Sequence, residues 1–415
     1  MRLLVYPHEL VIGGSQINAI DLAAGVAAKG HDVIVYGVPG PLEGYILERG
    51  LRFIPARRMK YRPAPSRIAQ LASIAEQERI DLIHTYEWSA CLDAYFGAAL
   101  FKRVPTLCTV LSMQVAPYIP PSTPLIMGTA ELGVEAQKRQ LGDVWVLEPP
   151  IDVSRDHPEI DGKHFRFANG IGDRDFLVVS VSRLAVDLKL DALVRLIDAI
   201  DQLAGSASIR LVLVGDGPAR GSLEARAAAV NNRHGRTVVT LTGADLDPRK
   251  AYAAADVVVG MGSSALRALA IGRPLVVQGE RAFSQTFEPT TSGLFLSQGF
   301  YGLGDDVTGV EILASQIADL MVDPEKRERL GKFGREFVCR RFSLDRAVDV
   351  QLEIYHSILD RPPSLGRIEA LRVAALALAL EVKNHNPLVK RERNTFEAVM
   401  LATAKAGNWP PRPSR

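Results

Sequence analysis

Residues 256–277 read DVVVGMGSSALRALAIGRPLVV. The apolar run Val257–Val259 predicts a strand, and the glycines at 260 and 262 predict a tight turn. Ala265 to Ala270 predicts a short helix, stopped by Gly272, and Pro274 leads into a second apolar strand. A turn that opens directly onto a helix places unpaired N–H groups and partial positive charge at its end, which suits a phosphate.

The same alternation of buried strand and amphipathic helix extends in both directions. Upstream strands are expected at Phe176–Val181, Arg210–Val214 and Val238–Thr242, with helices over Asp191–Ala204 and Gly221–Val230 between them. Downstream come the apolar run Gly293–Leu296 and helices at Glu311–Met321, from Pro324 with Asp323 as its cap, and over Ser343–Leu359. The first part of the chain repeats the pattern. Its strands are expected at Leu3–Tyr6, Asp32–Tyr36, Arg52–Ile54, Leu82–His84, Thr106–Val110, Leu125–Met127 and Val144–Leu147. After the first of these, Gly13-Gly14 turns the chain into a helix with Ser15 as a candidate cap. Such alternation means α/β architecture, here two doubly wound, Rossmann-like domains facing a cleft. The polar, glycine-containing segment 156–175 reads as a linker. The first domain is expected over 1–160 and the second over 172–342. Helices over 343–406, including one at Arg367–Lys383, are expected to cross back to the first domain, ahead of a Pro-rich tail at 407–415 that reads as disordered.

Composition narrows the class. At 415 residues, 47% hydrophobic and with a net charge of +2, the chain is an ordinary globular one with no global pull toward nucleic acid. Cys91, Cys108 and Cys339 are far apart and form no CxxC, so neither a disulfide framework nor a zinc site is expected. The opening MRLLVYP reads as a strand rather than a signal peptide, and no apolar run spans a membrane, which together predict a cytoplasmic protein.

Further motifs line up in order. They are KGHDVIVYG at 29–37, DLIH at 81–84, VSRL at 181–184 with Lys189, LVGDGPARGSLE at 213–224, LTG at 241–243, AYAAADVVV at 251–259 and DPEKRERLGKFGREFVCRRFSLDR at 323–346. In this order the chain resembles the retaining GT-B glycosyltransferases of family 4 (glycosyl transferases group 1). The resemblance implies transfer of a hexose-like sugar from a nucleoside diphosphate sugar to an acceptor hydroxyl, with retention, without cofactor or metal. The acceptor, a small molecule or a glycan or lipid-linked one, is left open. Arg183 and Lys189 are then the cations that neutralise the leaving diphosphate, against the bland reading of two surface charges. Gly13 and Gly14, with Gly262, Ser263 and Ser264, are candidates for the donor phosphates. The turn Gly215-Asp216-Gly217-Pro218 reads first as a structural bend.

Departures from the family pattern are equally definite. Its members usually carry two glutamates around this helix, the second binding the ribose. Here Arg267 stands at the second position and Val259 falls at the first. Leu111 and Ser112 stand where the family tends to place a histidine. Arg267 lies at i+4 from Ser263, so its side chain can lean back toward the anion end, or it can serve a structural role. Arg cannot accept hydrogen bonds from hydroxyls, so Glu280 and Glu288 become candidates for that task. His84 is a catalytic candidate at a strand end, alternatively a loop histidine; His8, and Tyr86, Glu87 and Trp88, are weaker ones beside core packing. Asp245 and Asp247 resemble a metal-binding pair on an exposed loop, but no metal is expected. Residues 49–67 carry seven basic residues and no acid, either a solvated loop or a peripheral contact with an anionic membrane or phosphorylated acceptor. The lost glutamates also keep a second reading open, a catalytically silent homologue that binds sugar nucleotides as a partner protein.

Overall fold

The structure, a computed structural model, describes residues 1–59, 64–112, 115–305, 309–361 and 366–385. The described chain divides into two units: Met1–Asp152 with the segment 342–385, and Val153–Arg341.

The first unit is built on a seven-stranded sheet: β1 (Arg2–Tyr6), β2 (Asp32–Gly37), β3 (Arg52–Pro55), β4 (Leu82–Tyr86), β5 (Thr106–Val110), β6 (Leu125–Met127) and β7 (Val144–Val146), in the order β3-β2-β1-β4-β5-β6-β7. Every pairing is parallel. Both faces are covered, as an all-parallel sheet requires. The two-residue period is visible along β1 and β2. Leu3, Val5, Val33 and Val35 join one cluster, with Ile20, Val348 and Tyr355 from the helices Gly14–Ala28 and Leu344–Leu359. Leu4, Tyr6, Ile34 and Tyr36 join another, with Leu71 and Ala94 from the helices Pro65–Gln77 and Glu87–Ala94. The helix Arg367–His385 also belongs to this unit: Val373 and Ala377 pack on Leu92, and Glu369 accepts hydrogen bonds from Tyr95 Oη and Ser122 Oγ.

The second unit has a six-stranded sheet: β8 (Phe176–Val181), β9 (Ile209–Val214), β10 (Val239–Gly243), β11 (Val257–Gly260), β12 (Leu275–Gln278) and β13 (Ser284–Thr286), ordered β10-β9-β8-β11-β12-β13. The first five are parallel and β13 alone runs antiparallel, against β12. Its core is packed by the helix Leu190–Ala204, which buries Leu193, Ile197 and Ile200, and by Leu313 and Ile317 of the helix Gly309–Val322.

Several boundaries differ from the sequence expectation. The segment read as a linker is part of the second unit: it contains the helix Lys163–Ala168, and Arg166 reaches the carbonyl of Ala254 and the carboxylate of Asp256. Its polarity serves hydrogen bonds to a neighbouring helix end, not solvation of a tether. Gly13, not Ser15, caps the first helix. The run Gly293–Leu296 falls inside a helix, Ser292–Gln298. Asp323 does cap its helix, accepting from Lys326 N at 2.8 Å. The tail 407–415 lies outside the described residues.

The turn at Gly215-Asp216-Gly217 shows why glycine is required there. Gly215 and Gly217 have φ of 151° and 155°, and a Cβ on Gly215 would lie 1.9 Å from Ser182 O. That close approach lets Leu184 N bond Asp216 O and Ala219 N bond Leu184 O, fixing the loop after β8. Gly215→Ala is therefore expected to destabilise the protein by more than about 1 kcal/mol, measured by denaturant melts. Wild-type stability in that variant would show that the turn is not strained.

Candidate functional site

In each sheet the strand order reverses once, between β1 and β4 in the first and between β8 and β11 in the second. Doubly wound sheets bind ligands at the carboxyl ends of the strands flanking such a reversal. In the second unit, the register pairs Val178 with Val257 and Val179 with Val258, so the ends of β8 and β11 come level. Off β8 leads the loop carrying Ser182, Arg183 and Lys189; off β11 leads the turn Gly260–Gly262 and the helix Ser263–Ala270. The two groups of residues singled out in the sequence thus meet at one sheet edge.

The loop after β8 is built to hold cations. Lys189 caps the helix Leu190–Ala204, an end whose partial positive charge disfavours an ammonium. Burial, then the neighbouring Arg183, push its pKa down to about 8. Among the described residues, neither Arg183 nor Lys189 has an acidic partner. The acid in the first helical turn, Asp191, is committed to Arg195 at 2.9 Å. Ser182 Oγ, in the same loop, is shut from solvent without a hydrogen-bond partner among the described residues. Leu188 adopts φ 65°, and Leu190 then begins the helix as a fully buried side chain.

At the end of β11, Gly262 adopts φ 61° and caps the helix Ser263–Ala270 without a side-chain bond. Its own N–H goes to Phe300 O at 2.8 Å, leaving the first-turn N–H groups of Ser263, Ser264 and Ala265 without helical acceptors. Ser264 Oγ accepts from the hydroxyl of Tyr252 at 2.9 Å. Burial raises the Tyr252 pKa to about 12, so it stays a donor. The sequence reading missed Tyr252, although it lies in the AYAAAD motif.

Arg267 stands beside this end, its positive charge acting on the Tyr252 hydroxyl that bonds Ser264. Its guanidinium pairs with Asp156 at 3.8 Å, and both groups are largely buried, with side-chain exposures of 20% and 3%. Arg335 grips the same segment, bonding the carbonyls of Val153, Asp156 and Ala270. Arg267 thus ties the helix to the segment at 153–156.

The two substitute carboxylates separate. Glu280 follows β12, beside β11 at the carboxyl edge, and accepts from Tyr301 Oη at 2.5 Å. Glu288 follows β13, which runs antiparallel with Thr286 opposite Val276 and Gln278 opposite Ser284. That reversal carries Glu288 to the other end of the sheet, where its backbone carbonyl accepts from Thr291 and Ser292. Glu288 is thus removed from the carboxyl edge to which Arg183 and Ser263 belong.

His84 is also corrected. β4 continues to Tyr86, so His84 lies inside the strand with 0% exposure. Its Nδ1 bonds Tyr355 Oη and its Nε2 bonds Thr109 Oγ1, both at 2.7 Å, and burial pushes its pKa down to about 3. A neutral imidazole with both nitrogens occupied is a core hydrogen-bond node, not a catalyst.

Elsewhere in the first unit, Gly13 and Gly14 open the helix that follows β1, one of the two strands at the reversal. His8 bonds Gln16. Glu87, with φ 65°, accepts from Leu111 N and Ser112 N at 3.0 Å, while Tyr86 is core and stacks on His84, and Trp88 packs on Tyr118. The basic run at 49–67 is not a bare cationic face. Arg49 pairs with Asp21 and Asp152, Arg52 with Glu78, and buried Arg67 with Asp93. Lys60 and Arg62 lie outside the described residues. In the second unit Asp247 pairs with Arg249, and Asp245 accepts from Asp247 N. Among the described residues no helix is long and apolar enough to cross a membrane.

Comparison with known proteins agrees with this architecture. Residues 12–125 match Glycosyltransferase Family 4 and residues 175–323 match Glycosyl transferases group 1. The chain belongs to these glycosyltransferases, and its fold is GT-B. A glycosyltransferase from Rickettsia africae is 15% identical with a TM-score of 0.71, over 86% of this chain and 98% of that one. Anabaena Alr3699/HepE, solved in complex with UDP and glucose, is 17% identical with a TM-score of 0.67, over 86% and 100%. WaaG, a glycosyltransferase involved in lipopolysaccharide biosynthesis, is 17% identical with a TM-score of 0.56, over 84% and 99%. No curated protein matches the sequence.

The His84 assignment has a measurable consequence. Its folded pKa of about 3 lies below the unfolded value near 6.5, so between these limits the unfolded chain holds the extra proton. Stability should be full above pH 6.5 and fall as pH drops toward 3, by up to ~1.4 kcal/mol per unit from this group. The difference in pH-dependent stability between wild type and His84→Gln reads this contribution. Parallel curves would refute it.

Proposed function

We propose that the protein transfers a hexose-like sugar from a nucleoside diphosphate sugar to an acceptor hydroxyl, with retention of configuration and without a metal. The observation that carries this reading is the unneutralised pair Arg183 and Lys189, level with the open helix end at Ser263 and Ser264. The bound diphosphate would supply the charge that this edge lacks. During transfer the bond between the anomeric carbon and the diphosphate oxygen breaks, and negative charge grows on the leaving group. Preorganised cations and N–H groups stabilise that charge more than the ground state, which is the requirement for catalysis. In a front-face departure the acceptor oxygen bonds the anomeric carbon on the side the diphosphate leaves, and its proton passes to a leaving-group oxygen. No protein nucleophile is needed. The helix end at Gly13 and Gly14, at the first unit's own strand reversal, is assigned to phosphate or sugar contacts. The acceptor is assigned to the first unit. HepE, a structural neighbour solved with UDP and glucose, makes UDP-glucose a sensible first donor to assay.

Calorimetry with UDP, GDP, ADP and their sugars, followed by mass spectrometry for hydrolysis or transfer, tests this proposal. Absence of nucleotide binding would refute it, and binding without any turnover would point to the silent homologue. Arg183→Ala should weaken nucleoside diphosphate binding about tenfold, near the low end for a charged hydrogen bond because the guanidinium is exposed; an unchanged dissociation constant would exclude Arg183. Lys189 adds a pH signature. Since a bound diphosphate favours the charged amine, affinity should be level below pH 8 and fall by up to about tenfold per unit above it. Titrations between pH 7 and 9.5 check the slope, and Lys189→Met should flatten it.

A further inference from the structure

The helix Arg367–His385 is apolar on two opposite faces. Ala370, Val373 and Ala377 are buried, and Val373 and Ala377 pack on Leu92 of the first unit. Glu369 secures the same attachment by accepting from Tyr95 and Ser122. On the far side, Ile368, Leu371, Ala375, Leu378 and Val382 follow at steps of three and four, which sets them in one stripe along the helix. The four large side chains of this stripe are between 59% and 84% exposed. A surface helix ordinarily turns polar residues outward, whereas a helix apolar all round is a buried one or a membrane span. Among the described residues no helix is long and apolar enough for a span. A contiguous exposed stripe of this kind marks a contact surface.

The chain carries its own complement to that stripe. Residues 386–415 lie outside the described residues, but their sequence is informative. Asn386-Pro387, directly after the helix, opposes its continuation. Lys390 to Arg393 are charged, and Asn394 with Glu397 three positions on gives the signature of a helix start. Phe396, Val399, Met400 and Thr403 have the spacing of one helical face, no charge falls within 398–404, and Gly407 supplies a stop. Read as a helix, 395–406 would span ~18 Å, against ~21 Å for the stripe from Ile368 to Val382. Two helices joined by a short connection pack antiparallel as a hairpin. A short tether also gives the segment an effective concentration of about millimolar, ahead of a second copy of the chain.

We propose that residues 395–406 fold back antiparallel onto the stripe of Ile368, Leu371, Leu378 and Val382, completing a helical hairpin on the first unit. The test is amide hydrogen exchange on the full chain, read by mass spectrometry on peptides from 395–406, with light scattering to give the mass in solution. Wild type should be monomeric, with these amides protected at least about tenfold over their chemical exchange rates. Leu371→Asp combined with Leu378→Asp changes only the exposed face, so it should abolish that protection and leave the sheet amides as in wild type. Met400→Asp should do the same from the other side of the contact. Unprotected amides in wild type, or protection that survives either variant, overturns the proposal. So does protection that appears only as the chain dimerises with concentration, which gives the stripe to a second copy. Protection that appears only with phosphatidylglycerol vesicles overturns it too, and gives the stripe to a lipid surface.

Discussion

Two cations in one loop with no acidic partner among the described residues are a cost to a fold, and the second unit carries such a pair, Arg183 and Lys189, at its strand reversal. Lys189 pays three times over: it is desolvated, it faces Arg183, and it caps a helix at the positive end. An acid nearby could have relieved it, yet Asp191 is bound to Arg195. A ligand anion converts each of these penalties into attraction. The edge of the sheet is therefore electrostatically suited to an anion.

Keeping that arrangement in place takes most of the surrounding structure. The glycine turn after β9 clamps Leu184 on both its backbone groups, so Arg183 leaves from a fixed stem. Leu188 turns the loop in left-handed backbone, and Leu190 enters the core at once. On the other strand, Gly262 gives up its N–H to Phe300, which leaves the next three amides directed along the helix axis. Tyr252 steadies Ser264 from beneath, and its high pKa keeps it donating. Rigid placement of donors before the ligand arrives is what makes them effective on a developing charge.

The fold was largely legible because its signals are local. Buried apolar runs separated by amphipathic helices need no partner to be recognised, and Leu3–Tyr6 or Phe176–Val181 could be placed from their own residues. The errors all depended on something distant. Glu288 looked like a neighbour of Glu280 because β13, three polar residues, carries no strand signal. That unread strand turns the chain around. His84 looked like a strand-end residue because the pattern after it, Thr85-Tyr86, is less apolar than the strand before it. Its partners Tyr355 and Thr109 come from elsewhere in the chain. Distant partners also matter where no reading is overturned: three cations of the basic run at 49–67 find acids elsewhere in the chain, Arg49 at Asp21 and Asp152, Arg52 at Glu78 and Arg67 at Asp93.

A buried guanidinium needs an anion, and at Arg267 Asp156 meets it from a segment far away in sequence. Arg335 fixes that segment through three carbonyls, so the pair is held by backbone as well as by its charges. The helix keeps its cap at Gly262 independently of that pair. Recognition of a phosphate uses N–H groups and cations, whereas recognition of a hydroxyl through its proton needs an acceptor, which neither Arg267 nor the N–H groups can be. Of the two carboxylates weighed for that task in the sequence, β13 carries Glu288 to the far end of the sheet, while Glu280 stays at the near one.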